Sequence, residues 1–111
     1  MLWLAVLAVP PNTPISTPVS AILHPTLGLL TGVEVYFRDG CLDAVGIRIL
    51  ERGRQLAPMP DNTWLRDNNN HIAWSEYRRL EGSPYELAVE GYSIALDWTH
   101  TIDVKFYMSM R

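Results

Sequence analysis

A chain of 111 residues has room for one domain with a core of its own. A hydrophobic share of 48% against 19% charged residues describes an ordinary globular protein. The net charge of −3, with scattered arginines and Lys105 as the only lysine, argues against a nucleic-acid binder, which would want a basic stripe. Cys41 is the only cysteine, which excludes an intrachain disulfide and a cysteine-based zinc site and fits a reducing compartment.

The first element is Leu2–Val9, apolar throughout and too short to span a bilayer. It lacks the positive n-region of a signal peptide, since no Lys or Arg precedes Arg38, and Pro10-Pro11 follow at once. An N-terminal strand is the plainer reading, paired either with its own sheet or with a neighbour's. Pro10–Pro18 carries four prolines, which fix φ and remove donors, so it reads as an extended arm with Ile15 as its one large apolar pin.

Val19–Leu23 and Leu27–Leu30 then give one or two short strands broken at His24-Pro25. Gly32–Glu51 is the clearest stretch. Val33, Val35 and Phe37 alternate with Glu34, Tyr36 and Arg38, and Val45, Ile47 and Ile49 alternate with Gly46, Arg48 and Leu50. Asp39-Gly40 supplies a positive-φ residue between the two runs, so a hairpin or a pair of neighbouring strands is expected.

Arg52–Arg54 reads as a turn, Gln55–Pro58 as a short returning strand, and Arg66–Asn70 as an exposed tip whose asparagines tolerate left-handed geometry. His71–Trp74 is a strand, and Tyr77 and Leu80 at helical spacing predict one helical turn over Ser75–Leu80. Tyr85–Tyr92 and Thr101–Met108 alternate again, with Ser93–Thr99 an unusually apolar connection between them. Seven or eight short strands, roughly ten residues apart, indicate an all-β antiparallel β-sandwich, jelly-roll or Ig-like. Residues 1–18 form its N-terminal strand and Pro-rich arm, and 19–111 the sandwich domain. Val35, Phe37, Ile47, Ile49, Val89, Val104 and Phe106 are the expected core.

No residue cluster announces a chemistry. Asp97, His100 and Asp103 tempt a metal assignment, yet His100 and Asp103 fall on opposite faces of the last strand. Cys41 has no histidine near it in sequence and reads as a small buried hydrophobe. Glu34, Glu86 and Glu90 are the outward members of alternating strands rather than a glycosidase pair. No catalytic, cofactor or metal residue is therefore assigned. Tyr36, Tyr92 and Tyr107 fall on outward strand faces, and outward tyrosines suggest an interface. With Leu2, Trp3, Leu4, Val6 and Leu7 of the apolar N-terminal strand they make up the candidate partner-binding set.

The run of Asn12-Thr13-Pro14, Pro18-Val19-Ser20, Gly46–Leu50, Arg54-Gln55-Leu56, Pro84–Leu87 and His100–Val104 resembles the small β-sandwich head decoration (cement) proteins of tailed bacteriophages. The apolar Ser93–Leu96 departs from that pattern, where a polar tip is expected. The resemblance implies a virion structural protein, not an enzyme, that stabilises a capsid by binding major capsid protein subunits. It implies a homotrimer on the capsid surface, made in the host cytoplasm, with no nucleic-acid or membrane partner. The competing readings are a tail or neck component, and a carbohydrate-binding or host-attachment module using exposed Trp and Tyr.

Overall fold

Period-two patterning becomes eight strands in the computed structural model, which describes residues 1–60, 62–82 and 84–110. They are β1 (Leu2–Val9), β2 (Val19–Leu23), β3 (Leu29–Phe37), β4 (Val45–Glu51), β5 (Arg54–Ala57), β6 (Asn70–Arg79), β7 (Leu87–Ser93) and β8 (His100–Ser109). No described residue is helical. Two antiparallel four-stranded sheets result, one ordered β1-β8-β3-β6 and the other β2-β7-β4-β5.

The pairings nest: β1 with β8, β2 with β7, β3 with β6, β4 with β5. The chain is thus a long two-stranded ribbon rolled over on itself, and a tight hairpin closes its far end between Glu51 and Arg54. Arg52 and Gly53 both hold positive φ, as a two-residue hairpin turn twisted to match its strands requires. This overturns the hairpin expected across Gly32–Glu51. Its two runs are strands, but β3 and β4 lie in different sheets. Their alternating apolar faces meet across the core instead of lying side by side. The connection is too bulky for a tight turn: Leu42 and Asp43 take positive φ, and Cys41 is buried at the core's end.

The seven expected core residues are all buried and in strands. Register explains why. Ala5, Val104, Val35 and Ile72 stand side by side across the first sheet, as do Trp3, Phe106, Val33 and Trp74. From the second sheet, Ile47, Ile49, Leu87 and Val89 pack into the same cluster. Gly91 makes the close approach possible: a Cβ there would stand 2.8 Å from Leu7 Cδ2 and 3.0 Å from Val9 Cγ2.

Three further expectations are corrected. The helical turn over Ser75–Leu80 does not form, because β6 runs unbroken to Arg79. Its half-buried face is Ile72, Trp74, Glu76, Arg78, and the two charged members disguised the alternation. Glu76 accepts the Trp74 indole N–H at 2.9 Å, and Arg78 Nε donates to the buried Glu51 at 2.9 Å. The second correction concerns Leu27–Leu30, whose end belongs to β3, continuous through an irregularity at Leu30/Gly32.

The third concerns the Pro-rich stretch after β1, while β1 itself takes the own-sheet pairing, one of the two left open for it. Leu2–Val9 pairs residue for residue with β8 of its own sheet, and Ala5, Leu7 and Val9 enter the common core. The Pro-rich stretch is not an extended arm. It turns twice and is tied down where Thr13 bridges Ser93 and Asn12 N donates to Ala95 O at 2.9 Å. Ile15, the expected pin, is exposed; Thr13 is the buried residue.

Candidate interaction face

Because β1, β8, β3 and β6 are in register, their outward residues form rows. Leu2, Tyr107, Gly32 and Ser75 make one row; Leu4, Lys105, Glu34 and Ala73 the next; Val6, Asp103, Tyr36 and His71 the third. Read down the strands, the same face has an apolar column on β1 and polar columns on β8 and β3. Leu2, Leu4 and Val6 are 50%, 52% and 53% exposed. They sit about 7 Å apart along one side of the strand.

The polar columns are internally paired. Glu34 accepts from His71 Nδ1 at 3.0 Å, lies 3.9 Å from Lys105 Nζ, and reaches the Tyr107 hydroxyl at 3.5 Å. Arg38 grips Asp103 through Nε and Nη2 at 3.1 to 3.2 Å. The Tyr36 and His71 rings stack at 4.3 Å, nearly parallel. Leu4, Glu34, Tyr36, His71, Asp103 and Lys105 together line a shallow cleft of about 260 Å³. Such exposed ion pairs contribute little stability but fix the side chains beside the apolar column.

β1 is also the outer strand of its sheet, so no described strand pairs with its second edge. Sheet edges are ordinarily blunted by charge, proline or a bulge. Between Leu2 and Val9 there is none of these; Pro10 comes only after the strand has ended.

The structure divides the candidate residues. Leu2, Leu4, Val6, Tyr36 and Tyr107 share the outer face. Leu7 does not belong with them: at 3% exposure it packs on Gly91. Trp3 is also on the inner side, half-buried against the core, with its indole N–H unpaired. Tyr92 is corrected too. It points outward from β7 in the other sheet, but its ring lies flat over Gly46, where a Cβ would stand 2.2 Å from Cε1. Trp64 closes edge-on against it at 4.8 Å, leaving Tyr92 7% exposed. Arg48 completes this second cluster, 4.5 Å over the Trp64 ring and 2.7 Å from Glu90. The sequence signal for it was Gly46 among outward positions, a gap that a neighbouring aromatic fills.

His100 and Asp103 do fall on opposite faces of β8, and among the described residues no group of three or more His, Cys, Asp or Glu side chains could hold a metal ion. Cys41 is buried, and that burial pushes its thiol pKa up, away from nucleophilic use at neutral pH. The asparagine tip is less exposed than expected. Asn68 Oδ1 accepts from Gly40 N and Leu42 N, which holds the β3–β4 connection, while Asn69 takes the left-handed geometry. Asp67 accepts from Asn70 and Asn68, bonds that hold its carboxyl below the usual range. No helix of the described residues is long and apolar enough to cross a membrane. No known family model matches the chain, and a search of curated proteins finds no match.

Proposed function

We propose that the protein is a non-catalytic structural module of a bacteriophage virion, which decorates and stabilises a capsid by binding major capsid protein subunits. The observation that carries this reading is the apolar column Leu2, Leu4 and Val6 on an unblunted edge strand. A strand edge offers main-chain hydrogen bonds, and the column beside it offers apolar area. Together they suit strand addition by another protein. The nested strand order supports the jelly-roll form of the β-sandwich over the Ig-like form, and jelly rolls recur in viral capsid and lectin domains. The resemblance to phage cement proteins adds the specific partner, the homotrimer and the capsid surface.

The test is co-sedimentation of the purified protein with capsids that lack it. Binding is expected for the native chain and should be lost in Leu4→Lys and Val6→Lys, both folded. Undiminished binding by both variants would remove the column from the account; a native chain that never binds capsids would remove the virion. A second reading, glycan attachment, is favoured by one observation. The Tyr36–His71 stack borders a cleft that also holds Glu34 and Asp103, the mix of ring and carboxylate that sugars use. A glycan screen in which Tyr36→Ala abolishes a signal would promote it.

A further inference from the structure

The two sides of the sandwich differ in charge. On one side lie β5 and β6, the outer strands of their sheets, which carry Arg54, Glu76, Arg78 and Arg79. Charges on an edge strand, and inward-pointing ones above all, keep other strands from pairing with it. On the other side β1 and β2 pack close together, and neither holds a charged residue at any position.

The hydrogen-bond phase of β1 shows what its open edge offers. Met1 N donates to Met108 O and Met108 N to Met1 O, both at 2.7 Å. The β1–β8 register continues from there without a shift. In an antiparallel ladder such doubly bonded pairs alternate with unbonded ones. Trp3, Ala5, Leu7 and Val9 therefore turn their main-chain groups to β8. Leu2, Leu4, Val6 and Ala8 turn theirs to the open edge, and the same four residues are the exposed ones.

We infer that the free chain caps this edge with a second copy of itself, β1 against β1 in antiparallel pairing about a two-fold axis, until the partner takes the same edge. The inference rests on the β1 edge named in the proposed function, not on the identity of the partner found there. Even positions must oppose even positions, because a one-residue slip turns every side chain to the wrong face. One register, Leu4 against Val6 and Leu2 against Ala8 of the second copy, pairs all four free residues of each strand. Its central rows run Lys105, Leu4, then Val6 and Asp103 of the second copy, so no like charges end a row. A slip of two residues either way leaves a free residue unpaired and lines up lysine with lysine or aspartate with aspartate. Charge only disfavours those slips; main-chain pairing and apolar contact hold the copies together. The partner is the strand's own copy because the two-fold closes the assembly and leaves no open edge on β1. Pairing β1 with β2 of a further copy would repeat without end, and β5 and β6 are blunted by their charges. The seam is narrow beside the roughly 800 Å² per partner of a standard interface, so the dimer is expected to dissociate on dilution.

The experiment is sedimentation of the purified full chain over a concentration series, with amide exchange read residue by residue. A dimer that dissociates on dilution is expected. In it the amides of Leu2, Leu4, Val6 and Ala8 should exchange as slowly as those of Trp3, Ala5 and Leu7, and on dilution they alone should speed up. A dimer of labelled and unlabelled copies should show contact between Leu4 of one copy and Val6 of the other. Val6→Pro removes an N–H that faces the open edge and no bond to β8, so it should give a folded monomer. The double variant Leu4→Lys/Val6→Lys sets lysine against lysine across the seam at exposed positions, and should also be a folded monomer. A monomer at every concentration would overturn the inference. So would a trimer of the free chain, a dimer whose Leu4 and Val6 amides exchange freely, or a dimer untouched by both variants. No capsid is present in these measurements, so a monomer removes this inference alone and a failure to bind capsids leaves it standing.

Discussion

The outer faces of the two sheets start from the same alternating pattern and end differently. On the β2-β7-β4-β5 sheet, Tyr92 lies over Gly46, Trp64 closes against it, and Arg48 stacks on Trp64 while pairing with Glu90. The middle of that face is covered by its own side chains, with Ile22 of β2 left exposed at its edge. On the β1-β8-β3-β6 sheet, the polar columns pair among themselves and leave Leu2, Leu4 and Val6 uncovered. An outward aromatic is therefore not a mark of an interface by itself. What decides is whether the neighbouring strand leaves a gap, as Gly46 does, and whether a loop crosses to fill it, as Thr63–Leu65 does.

The largest expected effect separates the buried from the exposed side of β1. Deleting Met1–Val9 removes a full edge strand and the core residues Ala5, Leu7 and Val9, where each large apolar side chain contributes about 1.5–3 kcal/mol. Such a truncation should lose cooperative thermal unfolding by circular dichroism; a folded, soluble truncated chain would show that β1 is only appended. Next is Phe106→Ala, behind the apolar column, at about 3–5 kcal/mol by urea denaturation.

Gly46→Ala attacks the self-covered face. Its Cβ displaces the Tyr92 ring, so a cost of about 1–3 kcal/mol and a rise in Tyr92 solvent exposure are expected. Unchanged stability and Tyr92 fluorescence would mean the ring does not rest there. Smallest in stability are Leu4→Lys and Val6→Lys, within about 0.5 kcal/mol of the native chain, because these side chains touch solvent already.

Cys41 offers a comparison by pH. Burial raises its pKa, so the folded state favours the neutral thiol. Its contribution is complete below the ordinary thiol range and is lost as pH climbs through and above it. Thiol labelling of native protein at neutral pH should be slow at Cys41 and fast at a Val6→Cys position in a Cys41→Ala background.

Strand identity was largely legible in the sequence, because alternation of Val33, Val35 and Phe37 or of Ile102, Val104 and Phe106 reports burial on one face directly. Strand pairing was not. Asp39-Gly40 has hairpin chemistry, yet the ribbon closes at Arg52-Gly53, and no local signal says which of two turns reverses the chain within a sheet. β6 hid because Glu76 and Arg78 occupy inward positions, where their charges are satisfied by Trp74 and by the buried Glu51. Of the candidate face, the apolar β1 column was legible in part. Leu7 and Tyr92 were misplaced because burial of one depends on Gly91 and of the other on Gly46, both distant in sequence.

Hydrogen–deuterium exchange on the protein free and mixed with the capsids proposed as its partner tests the central claim most directly. The account predicts that amides across Leu2–Val6 slow on binding, while those around Ser20–Ile22 and Arg48 do not change. Protection of the Ser20–Ile22 and Arg48 face with none added along β1 would contradict it.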